Sequence, residues 1–107
     1  MEKVFDVMDL VNEIVKRTNL KKDDVMDELF YSFNSVPERE REVLVHLYFL
    51  RKSIDELLEF IDYKNENEIM NLRNKGIEYV IATLEEILNN HEEITNQILS
   101  KVSPTKY

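Results

Sequence analysis

The sequence has no cysteine, a single glycine and only two prolines. Without cysteine there are no disulfides and no thiolate-bound metal sites. With so little glycine and proline, few residues are suited to the tight turns of β-hairpins. The two histidines, His46 and His91, lie far apart in the chain, whereas a zinc site needs three or four converging ligands. These shortages argue against a disulfide-stabilised, a β-rich and a zinc-binding protein.

Long apolar runs are also missing, since none approaches the ~20 residues that span a bilayer. The first residues alternate charged and apolar side chains, which is not the pattern of a signal peptide. We therefore expect a cytoplasmic protein with no membrane association. The chain has no phosphate-binding glycine loop, no nucleophile–base pair and no H-E-x-x-H motif. We expect no enzyme activity, no catalytic residue, no metal and no cofactor.

The 107 residues are 43% apolar, which is ordinary for a globular protein, and suffice for one domain. The chain is rich in leucine, glutamate, lysine and isoleucine, and its apolar residues recur every three or four positions. Both features predict an all-α fold. The formal net charge is −8. Because counterion release from phosphates needs cations, such a chain binds DNA only through a local basic surface.

Two amphipathic helices are predicted in residues 1–34, one over residues 2–17 and one over residues 22–33. We interpret them as helical support for residues 35–81. The apolar stripe of the first helix is typical of core packing, and a dimer interface is the competing interpretation. The predicted apolar side of the second helix consists of Val25, Met26, Leu29, Phe30 and Phe33.

Residues 35–81 contain three helix starts. Pro37 suits the first position of a helix, because its missing N–H needs no partner there. Ser53 and Glu56 are predicted to form a capping box in S-I-D-E. Asn65 begins N-E-N-E, in which asparagine takes the place of serine as the cap. Two caps separated by one short apolar helix and a tight turn predict a helix-turn-helix.

The helix that starts near Glu66 shows no strong stop before residues 89–90. The C-terminal extension, residues 82–107, keeps an apolar stripe and is predicted to be helical again over residues 92–102, with an end at residues 103–104. A helix of this length is longer than a compact three-helix unit needs. Its second half must pack on the N-terminal helix or on another subunit, which makes a homodimer possible. Gly76 lies mid-helix, where glycine costs about 1 kcal/mol relative to alanine, and a close helix crossing would explain it.

The same residues resemble a known family. V-P-E-R-E-R-E-V-L at 36–44, S-I-D-E-L at 53–57 and N-E-I-M-N-L-R-N-K-G-I-E-Y-V at 67–80 are similar to the fourth conserved region of bacterial RNA polymerase sigma factors. The resemblance spans about residues 24–81. It implies a domain that binds a promoter element in the major groove and contacts the polymerase β-flap. The chain is too short for the other sigma regions, so we do not expect a complete sigma factor.

The resemblance also implies a set of DNA-binding residues. Arg51 and Lys52 would hold phosphates, and the helix from Glu66 would enter the groove. Asn71 has the chemistry to pair bidentately with adenine, and a solvated helix residue is the alternative interpretation. The positions implied are Arg51, Lys52, Lys64, Asn67, Asn71, Arg73 and Lys75, with Glu66 and Glu68 among them.

Departures from the family pattern leave the function open. Leu58 stands where the family has a small residue, and Asp62 where it has glycine. Residues 64–81 carry three basic and three acidic side chains. The first interpretation is a sigma-like helix-turn-helix regulator of bacterial or phage transcription that binds DNA. The alternative is a protein-interaction module that binds RNA polymerase or a sigma factor and has lost DNA affinity. A third is a helical dimer formed through the stripe over residues 80–102.

Overall fold

The computed structural model describes residues 4–60 and 62–102, and for residues 91–102 it describes the backbone only. This part of the chain contains helices and no strand, so the predicted all-α fold is confirmed. None of its helices is both long enough and apolar enough to span a membrane. The helices are α1 (Val7–Arg17), α2 (Lys22–Ser32), α3 (Glu38–Leu44), α4 (Ile54–Leu58) and α5 (Glu66–Val102), with a 3₁₀ turn at Phe33–Ser35 after α2 and a π-helical segment at Val45–Phe49 after α3.

The two predicted helix caps are present, one at the start of α4 and one at the start of α5. The Ser53 hydroxyl accepts from the Glu56 N–H at 3.1 Å, and the Glu56 carboxylate accepts from the Ser53 N–H at 3.2 Å. The Asn65 side chain accepts from the Glu68 N–H at 2.9 Å, whereas the Glu68 carboxylate reaches back to the Lys64 N–H at 3.4 Å. Each helix therefore begins at its own cap, and α4 and α5 are not one continuous rod.

The first predicted boundary is wrong at its N-terminal end. Helix α1 begins at Val7 and not at residue 2, because Asp6 and Asp9 form a reciprocal capping box. A capping box usually ends in glutamate or glutamine, so an aspartate pair is a weaker sequence signal for a helix start. Residues 2–3 of the predicted helix lie outside the described residues.

The predicted stop at residues 89–90 is also wrong, because α5 continues without a break to Val102. Asparagine inside a helix costs only a few tenths of a kcal/mol more than the best residues, and neither glycine nor proline occurs between these asparagines and Val102. Its 37 residues give a length of about 55 Å. The predicted end at residues 103–104 lies outside the described residues.

Helix α3 starts one residue later than predicted, with Pro37 as its N-cap. It widens into the π-helical segment, in which the Leu50 N–H donates to the Val45 carbonyl at 2.9 Å. Two consecutive side chains of this segment, Leu47 and Tyr48, are buried. The segment thus carries a tyrosine into the core, where a polar partner is needed.

All five helices contribute to one hydrophobic core, and α5 packs mainly against α3 and α2. The core-packing interpretation of the first stripe is confirmed for Val11 and Ile14, which are fully buried together with Leu10 at its margin, whereas Val4 and Met8 of the stripe are exposed. Residues of the core that are fully or almost fully buried are Leu10, Val11, Ile14, Val25, Leu29, Phe33, Val36, Val43, Leu44, Leu47, Tyr48, Leu57, Tyr63, Ile69, Ile77, Val80 and Leu84.

Gly76 marks the crossing of α3 and α5. A Cβ atom built at Gly76 would lie 2.9 Å from Cδ1 of Leu44 and 3.3 Å from the carbonyl oxygen of Glu40. These separations are shorter than ordinary van der Waals contact. The close helix crossing expected from the sequence is therefore present, and it sets the position of α5 relative to α3.

Candidate functional site

Three predicted DNA-binding residues lie in one line on the outer side of α5. Asn67, Asn71 and Lys75 are four residues apart, and all three are exposed. Residues at this spacing share one face of a helix, and the line is about 12 Å long. Glu78 continues this face toward the C-terminus and is also exposed. The line therefore presents two amides, one cation and one carboxylate, with no net charge.

Arg73 does not join this line, because it lies on the buried side of α5. Its Nε donates to the Tyr48 hydroxyl at 2.6 Å, and its Nη2 lies 4.0 Å from the Glu13 carboxylate on α1. The side chain is only 14% exposed. Arg73 thus connects α5 to the π-helical segment and to α1, and it is turned away from the surface that would meet DNA.

The position of Arg73 was readable from the helical period. It stands four residues after Ile69 and four before Ile77, both of which are fully buried. Residues four apart share a face, so the apolar stripe of α5 runs through this arginine. The resemblance grouped Arg73 with Lys75 as neighbours in R-N-K, and this grouping ignored the rotation of about 200° between them.

The remaining predicted cations lie before α4 and before α5. Arg51 is exposed and has a backbone φ of 53° in the turn that leads to α4. The Lys52 ammonium lies 5.0 Å from the centre of the Phe60 ring, in a cation–π contact. Lys64 is exposed just before the Asn65 cap. Asp62, at the family's glycine position, has no left-handed backbone conformation, since Arg51 alone has positive φ among the described residues.

Arg39, although exposed on α3, is engaged within the chain. Its guanidinium donates to the Asp62 carbonyl at 2.6 Å and forms an ion pair with Glu68. This contact ties α3 to the α4–α5 turn and to the first turn of α5. It also occupies the carboxylate of Glu68, which a cytosine amino group would otherwise need as its acceptor.

The surface of α4 and the turn after it is acidic. Residues 53–63 contain four carboxylates, Asp55, Glu56, Glu59 and Asp62, and neither lysine nor arginine. In a helix-turn-helix bound to DNA, the first helix crosses the phosphate backbone. Carboxylates at this position are repelled by the phosphates, so the electrostatics of α4 oppose DNA binding.

A shallow cleft next to this surface is lined by Glu42, His46, Glu59, Phe60 and Asp62. Tyr63 packs beside it, with its ring 6.4 Å from that of Phe60 and with the Arg39 guanidinium 5.6 Å from its centre. Within the described part of the chain, the buried Tyr63 hydroxyl has no hydrogen-bond partner. Burial raises the pKa of Tyr63, and the carboxylate of Glu42 adds to the effect.

We expect Tyr63→Phe to raise the free energy of unfolding by about 1 kcal/mol at neutral pH, because it removes a buried hydroxyl without a partner. The raised pKa means that folding opposes ionisation of Tyr63. Tyr63 thus contributes to folding stability through its neutral form. This contribution is fully present below the unfolded pKa, which is near 10, and it is lost as the pH rises through the raised pKa of the folded state. The advantage of the phenylalanine should therefore grow above pH 10. Urea denaturation of both proteins at about pH 7 and about pH 11 measures the difference in stability. A variant that is less stable than the unchanged protein at neutral pH would contradict the prediction.

An exposed apolar patch lies on the flank of α2 that adjoins its buried side, where Phe30 and the buried Phe33 both contact Phe49. We call it the α2 patch, and it consists of the exposed Met8, Met26 and Phe30 together with the half-buried Phe49. Phe30 is 68% exposed and its ring lies 5.4 Å from that of Phe49, while Met8 and Phe49 line the same shallow cleft. The sequence placed Met26 and Phe30 on the apolar side of the second helix, but only Val25, Leu29 and Phe33 of that side are buried.

No family model matches the chain, and no curated protein or solved structure is significantly similar to it. Among the side chains that the structure describes, no three histidines or carboxylates converge in a way that fits a metal ion. Two surfaces therefore bear on the function: the acidic surface of α4 and the turn after it, and the α2 patch.

Proposed function

We propose that this protein is a protein-interaction module of the bacterial transcription machinery, which binds RNA polymerase or a sigma factor through the α2 patch. The observation that carries the proposal is the acidic exterior of α4, which has four carboxylates and no cation between residues 53 and 63. A helix-turn-helix with this exterior would have the shape of a DNA-binding domain without the positive charge that attracts phosphates. Its sigma-like features, the caps at Ser53 and Asn65 and the crossing at Gly76, serve folding.

The α2 patch supports a protein as the partner. Soluble monomers rarely expose neighbouring large apolar side chains, and such patches commonly mark interaction sites. Aromatic residues and methionine are enriched at interfaces, and methionine adapts its shape to different partners. Phe30 at the centre of this patch has the chemistry of an anchor residue that a partner pocket would bury.

The test measures binding to purified bacterial RNA polymerase core enzyme and to a purified principal sigma factor at physiological salt. We expect binding to one of them, weakened about tenfold or more in Phe30→Ser, because an exposed aromatic anchor is worth more than about 1 kcal/mol when a partner buries it. Tyr79→Ser is the matched control, since Tyr79 is also an exposed aromatic but lies on α5. The proposal fails if neither protein binds, or if both variants bind equally well.

DNA binding is the second candidate, and the line of Asn67, Asn71 and Lys75 favours it. Two amides and a cation at four-residue spacing can reach base edges and phosphates, and asparagine pairs bidentately with adenine. In the described part of the chain, these three side chains make no hydrogen bond or ion pair within the protein that would occupy them. They are thus free to contact a nucleic acid.

Fluorescence anisotropy with a pool of random duplexes at low salt tests this second candidate. If it holds, the double variant Asn71→Ala plus Lys75→Ala loses binding. The matched control is Asn12→Ala plus Lys16→Ala, which removes an exposed asparagine–lysine pair of the same spacing from α1. We expect no binding by the unchanged protein at physiological salt. Tight binding that only the α5 variant abolishes would replace the first proposal with this one.

A further inference from the structure

The apolar stripe of α5 continues past the core in a seven-residue repeat that one histidine interrupts. Ile77, Val80 and Leu84 are fully buried in the chain's own core. The same alternation of three and four residues then gives Ile87, His91, Ile94 and Ile98. This period of about 3.5 residues is typical of helices that pair as a coiled coil. Because the backbone of α5 is helical to Val102, these positions share one side of a single helix.

The chain's other helices are too short to cover this continuation. Leu84 is the last fully buried side chain in the described part of α5, and 18 residues of the helix come after it. These residues span about 27 Å. Helices α1 and α2, the longest of the others, have 11 residues each and are about 16 Å long. Both already pack in the core around Leu10 and Leu29.

The charges along this segment point to a second copy of the same chain. Between Lys75 and Lys101 the sequence has no lysine or arginine, so this segment has no cation that would attract a phosphate-rich partner. The positions that flank the seam of a coiled coil carry no charge here; they are Leu88, Asn90, Thr95 and Gln97. All four glutamates of residues 85–93 fall on the outward positions of the repeat. An acidic chain can therefore pair with itself here without like charges meeting across the seam.

We propose that two copies of the protein pair through the part of α5 beyond Leu84, with Ile87, Ile94 and Ile98 in the seam. The pairing begins after Leu84 because that side of the helix already belongs to the core. His91 occupies a seam position, where a polar residue lowers affinity while fixing the register. The seam is about two heptads long, so association is expected to be weak and to depend on protein concentration.

Analytical ultracentrifugation of the full chain over a wide concentration range tests the proposal. We expect a monomer–dimer equilibrium, which Ile94→Asp weakens roughly a hundredfold or more, because a carboxylate in an apolar seam has no partner. Asn96→Asp is the matched control, since it adds the same charge to the same helix at an outward position, and it should dimerise like the unchanged protein. His91→Leu should tighten the dimer.

Three outcomes would overturn the proposal. The first is an unchanged protein that remains monomeric at every concentration. The second is a dimer that Ile94→Asp and Asn96→Asp weaken to the same extent. The third is a dimer that both variants leave intact, which would place the contact elsewhere, for example at the α2 patch. Circular dichroism of each variant verifies that the core is folded, and we expect no change in the stability of the core, because residue 94 lies ten residues beyond its last buried position.

Discussion

Gly76→Leu is expected to lower the free energy of unfolding by about 3 kcal/mol, at the upper end of what overpacking usually costs. The crossing of α3 and α5 leaves no room even for a methyl group, since a Cβ would lie 2.9 Å from Leu44 and 3.3 Å from the backbone of Glu40. The side chain of Leu44 can rotate, but the carbonyl of Glu40 moves only with its helix. A leucine must therefore separate α3 from α5, and this separation exposes core residues on both helices.

Urea denaturation followed by circular dichroism measures the effect, and Ala82→Leu is its matched control. Ala82 is exposed on the same helix, so its replacement should change stability by no more than about 0.5 kcal/mol. Combining Gly76→Leu with Leu44→Ala should restore part of the loss, because the truncation opens space at the contact and the two changes are coupled. Equal stabilities for Gly76→Leu and Ala82→Leu would show that the helices do not cross closely at Gly76.

Gly76, Ser53 and Asn65 show how much of this fold could be predicted from the sequence. A lone mid-helix glycine is costly, so it implied a close approach, and the side chains of Ser53 and Asn65 implied helix starts. Each of these signals is local, because the chemistry of one or two residues decides it. The end of α5 could not be predicted, because a pair of asparagines is a weak stop whose effect depends on the residues C-terminal to it.

The candidate sites were harder to predict than the fold. Helical period says which residues share a face, but not how far a neighbouring element covers that face. Met26 and Phe30 therefore looked like core residues, although they lie on an uncovered flank of α2. Arg73 looked like a surface residue because a charged side chain usually is one, and its partner Tyr48 is 25 positions away in the chain. Only the folded structure brings these two residues together.

Arg73→Ala is expected to lower the free energy of unfolding by about 2 kcal/mol, whereas Lys75→Ala should leave it nearly unchanged. Arg73 donates to the Tyr48 hydroxyl at 2.6 Å, and without it this buried phenol loses its charged partner. The Glu13 carboxylate, 4.0 Å from Arg73, would lose this second cation and keep its ion pair with Arg17. Lys75, two residues further along α5, is exposed and should contribute little to stability. Urea denaturation of the two variants makes the comparison, and equal stabilities would contradict it.

A double-mutant cycle with Tyr48→Phe separates the bond from the bulk of the arginine side chain. If the hydrogen bond matters, the loss from Arg73→Ala should shrink by roughly 1 kcal/mol or more when residue 48 is phenylalanine. Additive losses would instead attribute the effect of Arg73 to packing and to Glu13.

The result also decides how DNA-binding measurements on Arg73 variants are interpreted. A variant of Arg73 that lost binding would report a damaged core, so the exposed pair Asn71 and Lys75 is the proper probe of a DNA-binding surface.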